Sequence, residues 1–339
     1  MSYKAALNFS DGVTRFVDVN TGEVLLDAAL RQGIKLPMDC REGVCSTCKG
    51  ICISGEYAQD YVDEDALTES DLAGGAVLTC QMKLSSNSAI DFDCSSKVCN
   101  FSGPEIINAI VDSVVLISDT TAMLKLDASD ENKMIDFLPG QYANLRIPGT
   151  DQWRSYSFAH NPNEKNKLQF LIRRLPSGVM SDYLGQRAAP GDKIELKAPM
   201  GSFYLRQTKR PLLFVAGGTG LSAFLGILDD MMLAPEAFPK ATLIYGVTHE
   251  NDLCEIEYLF HLQNEMEGFS FKTVVLKPTA RWTGNKGLVT DIIDEKDVNA
   301  GDVDVYLCGP PPMVDAVDEW FQGRGLEGYT LRYEKFSAS

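Results

Sequence analysis

Nine consecutive residues constrain this chain more than any others: Cys40-Arg-Glu-Gly-Val-Cys45-Ser-Thr-Cys48. Three thiols stand at C-x4-C-x2-C spacing, and thirty-one residues separate Cys48 from a fourth thiol, Cys80. Three thiolates from one loop and one from a distant segment is the spacing of a [2Fe–2S] cluster site. An irregular loop suits that task, because it can wrap a compact cluster without placing the cysteines on one helix face. Gly43 takes positive φ without steric cost, so backbone N–H groups can turn toward the sulfurs. Such bonds stabilise an anionic cluster and tune its potential. The ligand set this spacing predicts is Cys40, Cys45, Cys48 and Cys80.

Two other uses of cysteine fit less well. A zinc ribbon wants two C-x2-C pairs, and here only Cys45 and Cys48 form one. A disulfide framework wants a secretory signal, and the opening MSYKAAL has neither a basic start nor an apolar run. Cys52, Cys94, Cys99 and Cys254 have no ligand spacing, and read as small buried apolar residues.

The length of 339 residues points to two or three domains. With 45% apolar and 23% charged residues, the chain is ordinary globular material with ample core. A net charge of −16 disfavours nucleic acid, whose phosphates an acidic surface repels. It also suits steering toward a basic patch on a partner protein. The longest apolar stretch, residues 212–228, is interrupted by glycines, and reads as strand–loop–helix, not as a membrane span. The expected location is the reducing cytoplasm.

Lys4–Phe9 and Thr14–Val19 read as two strands joined by a Ser10-Asp11-Gly12 turn. Glu23–Gln32 has Leu26, Ala29 and Leu30 at helical spacing, closed by Gly33. Val77–Cys80 reads as a strand end that delivers the last thiol. Hairpin, helix, cysteine loop and later strands fit a small β-grasp domain, and residues 1–98 resemble a plant-type [2Fe–2S] ferredoxin. Residues 99–104 read as a linker.

Over residues 105–206, Ile107–Ser118, Ala122–Asp127, Gln141–Ile147, Arg154–Ala159, Lys167–Arg173 and Lys193–Ala198 read as strands. Pro-Gly turns separate several of them. Many short strands of this kind suggest an antiparallel β-barrel. Arg154-Ser-Tyr-Ser157 puts Arg154 and Tyr156 on one strand face. A guanidinium binds phosphate well, and an aromatic ring can lie on a flavin. The same tetrad also suits an exposed strand with a satisfied tyrosine. In Pro176-Ser-Gly-Val-Met-Ser181, Gly178 can bring backbone close to a ligand. Ser181 is placed to cap a short helix whose N-terminus would favour an anion. Together with Phe137-Leu-Pro-Gly-Gln-Tyr142, this set resembles the flavin barrel of ferredoxin–NAD(P) reductases. The resemblance implies that Arg154 holds the flavin phosphate and Tyr156 stacks on the isoalloxazine. It also implies that Ser157 faces N5, and that Gly178 and Ser181 cradle the phosphates.

Over residues 207–339, Pro211–Ala216 is a short apolar run of the kind that forms a buried parallel strand. Gly217-Gly-Thr-Gly220 follows, then Leu221–Leu233 at helical spacing. Strand, glycine loop and helix is the layout that seats a dinucleotide pyrophosphate. The loop is not G-x-G-x-x-G, and a glycine turn required only for close packing has the same appearance. The next strand, Ala241–Val247, ends near Glu250. An acid there binds ribose hydroxyls and repels a 2′-phosphate, and Gly246–Leu253 holds no lysine or arginine. NADH is therefore expected over NADPH. Val303–Cys308 reads as a further strand, ending in Gly309-Pro-Pro-Pro-Met313 before a helix over Val314–Phe321. The pair GGTG and CGPPPM is similar to the Rossmann-like nicotinamide domain of the same reductase family. The resemblance implies that Cys308, Gly309 and Pro310 lie beside the nicotinamide, with Cys308 near the transferred hydride. The family often has a proline shortly after its glycine loop, where this chain has Leu221-Ser-Ala-Phe224. The tail Tyr333-Glu-Lys-Phe336 resembles the family's ending near the flavin, where an aromatic or acidic tail residue covers the ring, and Phe336 is the residue expected there.

Ferredoxin, flavin barrel and nicotinamide domain, in that order, resemble the reductase components of aromatic-ring dioxygenases. The wording of Asp11–Phe16 and Met38–Cys45 resembles that of the benzoate, toluate and anthranilate group. The resemblance implies FAD as the flavin, NADH as reductant, and electron transfer through FAD and the [2Fe–2S] cluster to a Rieske-type terminal oxygenase. The chain itself has no Cys/His pairs for a Rieske centre, so oxygen activation belongs to a separate partner. Phenol or methane monooxygenase reductases and reductases for a deoxysugar dehydratase share these modules. A cluster-based redox sensor is the non-enzymatic alternative.

Overall fold

The computed structural model describes residues 2–100, 105–129, 135, 137–159, 166–206 and 208–336. Residues 101–104 of the expected linker, and His160, lie outside them. Two compact units are present: residues 1–105 with 199–202, and residues 106–198 with 203–339.

The first unit is a five-stranded sheet in the order Thr14–Asn20, Ser2–Phe9, Ser88–Phe92, Lys49–Ser54, Ala76–Leu78. Ser2–Phe9 alternates, with Ala5, Leu7 and Phe9 buried, so one face is core and the other wet. The helix Leu25–Arg31 buries Leu25, Leu26, Ala28 and Ala29. Ser2–Phe9 pairs in parallel with Ser88–Phe92, which stacks Phe9 on Phe92 at 5.3 Å. That β-grasp pairing joins strands at opposite ends of the unit. Lys49–Ser54 pairs with Ala76–Leu78, Lys49 opposite Leu78. One step beyond that register, Thr79 N donates to Cys48 O at 3.2 Å. The sheet thus delivers Cys80 to the cysteine loop.

The second unit begins with a six-stranded sheet in the order Trp153–Ser157, Tyr142–Arg146, Lys193–Met200, Glu105–Ser118, Thr121–Asp127, Lys167–Arg173. An antiparallel bridge between Phe158 and Phe170 joins its two edges into a barrel. Closure removes the unpaired edges. The interior is filled by Phe137, Phe158 and Phe170, with Phe137 stacked on Phe158 at 3.8 Å.

A six-stranded parallel sheet follows, ordered Asn285–Lys286, Phe269–Val275, Ala241–Val247, Leu212–Gly217, Asp304–Gly309, Thr330–Lys335. Leu212–Gly217 and Asp304–Gly309 are buried along their whole length, as central strands covered on both faces must be. Alternation sends Leu213, Val215, Val305 and Leu307 to one face. It sends Phe214, Ala216, Tyr306 and Cys308 to the other, where Met123, Ala159 and Leu171 of the barrel join the same core. Cys308 is therefore on the face turned to the barrel. The helix after this strand begins earlier than the expected Val314, at Pro311, and runs to Gln322. Proline is tolerated there because the first-turn N–H it lacks has no intrahelical acceptor.

Candidate functional site

The cysteine loop is irregular throughout. Arg41, Gly43 and Ser46 have positive φ. Gly43 is required: a Cβ there would lie 2.4 Å from Tyr61 O. The loop turns its donors onto sulfur. Glu42 N donates to Cys40 Sγ at 3.3 Å, Cys40 N to Cys45 Sγ at 3.5 Å, and Gln81 Nε2 to Cys80 Sγ at 3.7 Å. Ser46 Oγ, bonded to Ala66 O at 2.6 Å, and Thr79 Oγ1, bonded to Cys48 O, pin the loop from outside.

The four thiols come as two pairs, Cys40 with Cys45 and Cys48 with Cys80. Among the described residues no three His, Cys, Asp or Glu side chains converge as a single metal ion would require. A tetrahedral zinc site gathers all its ligands on one point, whereas a two-iron cluster divides four thiolates between two irons. Two pairs fit the cluster. The hydrogen bond shared by Cys48 and Cys80 lowers the Cys80 thiol to about 6 and raises Cys48, so the two titrate as one unit. A backbone bond from Gly43 also favours the Cys80 thiolate.

On the barrel, Arg154 and Tyr156 lie on Trp153–Ser157, opposite Leu145 and Ala143. Burial pushes the Tyr156 hydroxyl well above the usual tyrosine range, against a smaller opposing effect of the Arg154 charge. The Arg154 guanidinium donates to Trp153 O and Gln152 Oε1 at 2.9 and 3.0 Å. The phosphate turn differs from expectation in one respect. Gly178 is the N-cap of a short helix, Val179–Asp182, and Ser181 lies inside it. Ser181 does not cap the helix; its Oγ accepts from Leu175 N at 2.7 Å and ties the turn back on itself. A Cβ at Gly178 would come within 2.9 Å of that Oγ. At the start of this turn, Arg174 Nε is buried with no hydrogen-bond partner among the described residues, a donor that an anionic group would satisfy.

In the parallel sheet the glycines of GGTG divide their work. A Cβ on Gly217 would strike Met313 and Pro310, and one on Gly220 would lie 2.2 Å from Cys308 O. Those two glycines let the loop pack backbone to backbone against the Cys308–Pro310 turn. Gly218 has φ +55 and open space: among the described residues a Cβ there would meet the Arg173 guanidinium, at 3.6 Å. The open glycine beside a cation at the start of Leu221–Leu233 fits a pyrophosphate. Thr219 O accepts from Ser222 Oγ at 2.9 Å. Arg173 escaped the sequence reading because it lies on a barrel strand.

Glu250 begins the turn after Ala241–Val247, at the strand end predicted for ribose contact. Its carboxylate accepts from Thr279 N and Oγ1. Gly246–Leu253 itself holds no lysine or arginine. The next loop brings Lys277, whose N donates to Thr248 O at 2.8 Å, and Arg281, whose N donates to Thr279 Oγ1.

The barrel and the parallel sheet meet at Ser157. Its Oγ, almost wholly buried, donates to Glu334 Oε2 at 3.4 Å. Glu334 sits opposite Cys308 in the strand register. Burial, and then the Glu334 charge, keep the Cys308 thiol protonated. Phe336 N donates to Gly309 O at 2.8 Å, which fixes the tail beside the Gly309–Pro310 turn. Ser157, Cys308, Gly309 and Phe336 are thus brought together from three separated segments. Glu334 completes the group. The sequence signal for it is the tail motif Tyr333-Glu-Lys-Phe336, whose acid is the alternative to its aromatic residue.

Comparison with known proteins gives three family matches. Residues 8–85 match the 2Fe-2S iron-sulfur cluster binding domain, 108–204 the oxidoreductase FAD-binding domain, and 214–319 the oxidoreductase NAD-binding domain. The anthranilate 1,2-dioxygenase electron transfer component of Acinetobacter baylyi is 50% identical over all of this chain and 98% of its own. The toluate 1,2-dioxygenase electron transfer component of Pseudomonas putida is 44% identical over the full length of both. Among solved structures, an Amycolatopsis cytochrome P450 reductase superposes with a TM-score of 0.70 at 30% identity, over 98% of this chain and 99% of that one.

Proposed function

The chain belongs to the family of aromatic-ring 1,2-dioxygenase electron transfer components, and from that membership we propose that it serves a Rieske-type oxygenase acting on a benzoate-like aromatic acid. It is an NADH-dependent oxidoreductase with three resident or exchanging groups: NADH, FAD and a [2Fe–2S] cluster. When bound, NADH supplies a hydride, FAD takes up the electron pair and releases it singly, and the cluster carries single electrons onward.

The chain's own work is placement. The proposed division is a cluster module over 1–98, a linker over 99–104, a flavin module over 105–206 and a coenzyme module over 207–339. Cys40, Cys45, Cys48 and Cys80 would hold the irons, two thiolates to each. Arg154, Tyr156, Gly178 and Ser181 would hold FAD, with Arg174 as an added donor. Gly217–Gly220 and Arg173 would receive the coenzyme's phosphates, Glu250 its adenosine ribose, and Cys308, Gly309 and Pro310 its nicotinamide. Phe336 would cover the flavin. The observation that carries this reading is the Ser157–Glu334–Cys308 junction, where groups from both halves of the unit meet in a buried setting.

Ser157 Oγ and the Glu334 carboxylate hold a proton between them, and the neutral Cys308 thiol adds no charge. Replacing Ser157 by alanine is expected to slow reduction of bound flavin by NADH roughly 10²-fold, the lower end for a positioned proton donor. The cluster spectrum should be unaltered. Stopped-flow absorbance measures both, and an unchanged flavin rate would remove Ser157 from the machinery.

Glu250→Ala is expected to lower the preference for NADH over NADPH by about tenfold, the loss of one charge-assisted contact. The ratio of kcat/KM values for the two coenzymes measures it. Steady NADH oxidation with an artificial acceptor separates this enzyme from a cluster-based sensor, which would not turn over. Among the described residues no disulfide joins any of the nine cysteines, which supports a reducing cytoplasmic location. Among the described residues no helix is long and apolar enough to cross a membrane.

A further inference from the structure

Glu250 stands at its strand end as half of a pair. Thr279 N donates to Oε2 at 2.7 Å and Thr279 Oγ1 donates to Oε1, so one residue occupies both carboxylate oxygens. These two bonds hold the carboxyl below the usual glutamate range and keep it charged. Thr279 belongs to the loop after Phe269–Val275, not to the strand that carries Glu250. That loop is laid along the neighbouring strand end by Leu276 N to Val247 O and Lys277 N to Thr248 O, at 2.9 and 2.8 Å. It then folds around Thr279 itself, whose Oγ1 accepts from Arg281 N and whose O accepts from Trp282 N. The loop carries two exposed cations, Lys277 and Arg281, neither in an ion pair among the described residues.

We infer that Thr279 is a specificity-determining positioning residue: by clamping Glu250 it fixes a negative charge at the ribose end of the coenzyme site and sets the pose of the loop that bears Lys277 and Arg281. The inference rests on the assignment of Glu250 to the adenosine ribose. A carboxylate held by two donors cannot swing aside when a 2′-phosphate approaches, so the repulsion acts in full. Without the clamp, Glu250 turns to solvent and the loop cations become available to that phosphate. A purely structural loop staple would have a different signature, because its loss weakens both coenzymes alike.

The test is calorimetric titration of the holoprotein with NAD⁺ and with NADP⁺, which bind without turnover, alongside the NADH and NADPH kinetics. Thr279→Val removes the hydroxyl at nearly constant volume and is expected to reduce the NAD⁺/NADP⁺ affinity ratio about tenfold. Thr279→Ser keeps the hydroxyl and should restore the parental ratio. Equal weakening of both coenzymes in Thr279→Val, an unchanged ratio, or failure of serine to restore it would each overturn the inference. Glu250→Gln separates the two layers. If it leaves the ratio unchanged, the ribose assignment fails. If it shifts the ratio while Thr279→Val does not, only the role of Thr279 fails.

Discussion

Cys80→Ser is expected to abolish the visible absorbance and the reduced-state paramagnetism of the cluster while NADH-dependent ferricyanide reduction continues. The loss is complete because Cys80 is the only ligand that the 40–48 loop does not supply. It reaches the site through the pairing of Lys49–Ser54 with Ala76–Leu78. In the proposed ligand set its thiol is one of the two that would hold the second iron, and it shares a hydrogen bond with Cys48. The flavin and coenzyme residues lie in a separate compact unit, so the artificial acceptor is still served. Cys80→Ala provides the stricter version, since it leaves no oxygen to substitute for sulfur. A full cluster spectrum in either variant would refute the ligand set.

Gly220→Ala has the second-largest expected effect. Its Cβ would sit 2.2 Å from Cys308 O, and from 2.6 Å to 3.0 Å from the next backbone atoms of that turn. Carbonyl carbon and oxygen of a fully buried strand cannot step aside as a side-chain tip can. The glycine loop must move by roughly an ångström relative to the Cys308–Pro310 turn, and a displacement of that size costs about 10²-fold in turnover. Overpacking should also lower stability by about 1–3 kcal/mol. Gly191→Ala, in the Pro190-Gly191 turn of the barrel, is the control. Its Cβ would meet nothing within 4 Å among the described residues, and the cost is the positive φ, about 1–2 kcal/mol. NADH turnover and thermal unfolding of the two variants measure the difference. Equal effects would mean that the backbone contact between the two turns does not set the coenzyme site.

The parts of the site that the sequence displayed were those whose chemistry is written locally. The cysteine loop, the R-x-Y-S strand and the glycine loop each fall within a few residues. Their elements were legible too, because strands such as Lys167–Arg173 and helices such as Leu221–Leu233 carry their full period in the chain. What stayed hidden depends on long-range register. Ser88–Phe92 is short and becomes a central strand only by pairing with Ser2–Phe9. Arg173 acquires a purpose from Gly218, Thr279 from Glu250, and Glu334 from Ser157, and each pair spans separate elements. Ser181 was misjudged for a related reason. Serine bonds backbone on either side of a helix start, and the sequence does not say that Leu175 N lies within its reach.

Anaerobic addition of NADH to the pure holoprotein, followed by absorbance and electron paramagnetic resonance, addresses the central claim most directly. The account predicts that flavin absorbance and cluster absorbance both bleach and that the reduced cluster becomes paramagnetic. Bleaching of the flavin alone with the iron left oxidised, or no bleaching of either, would contradict it.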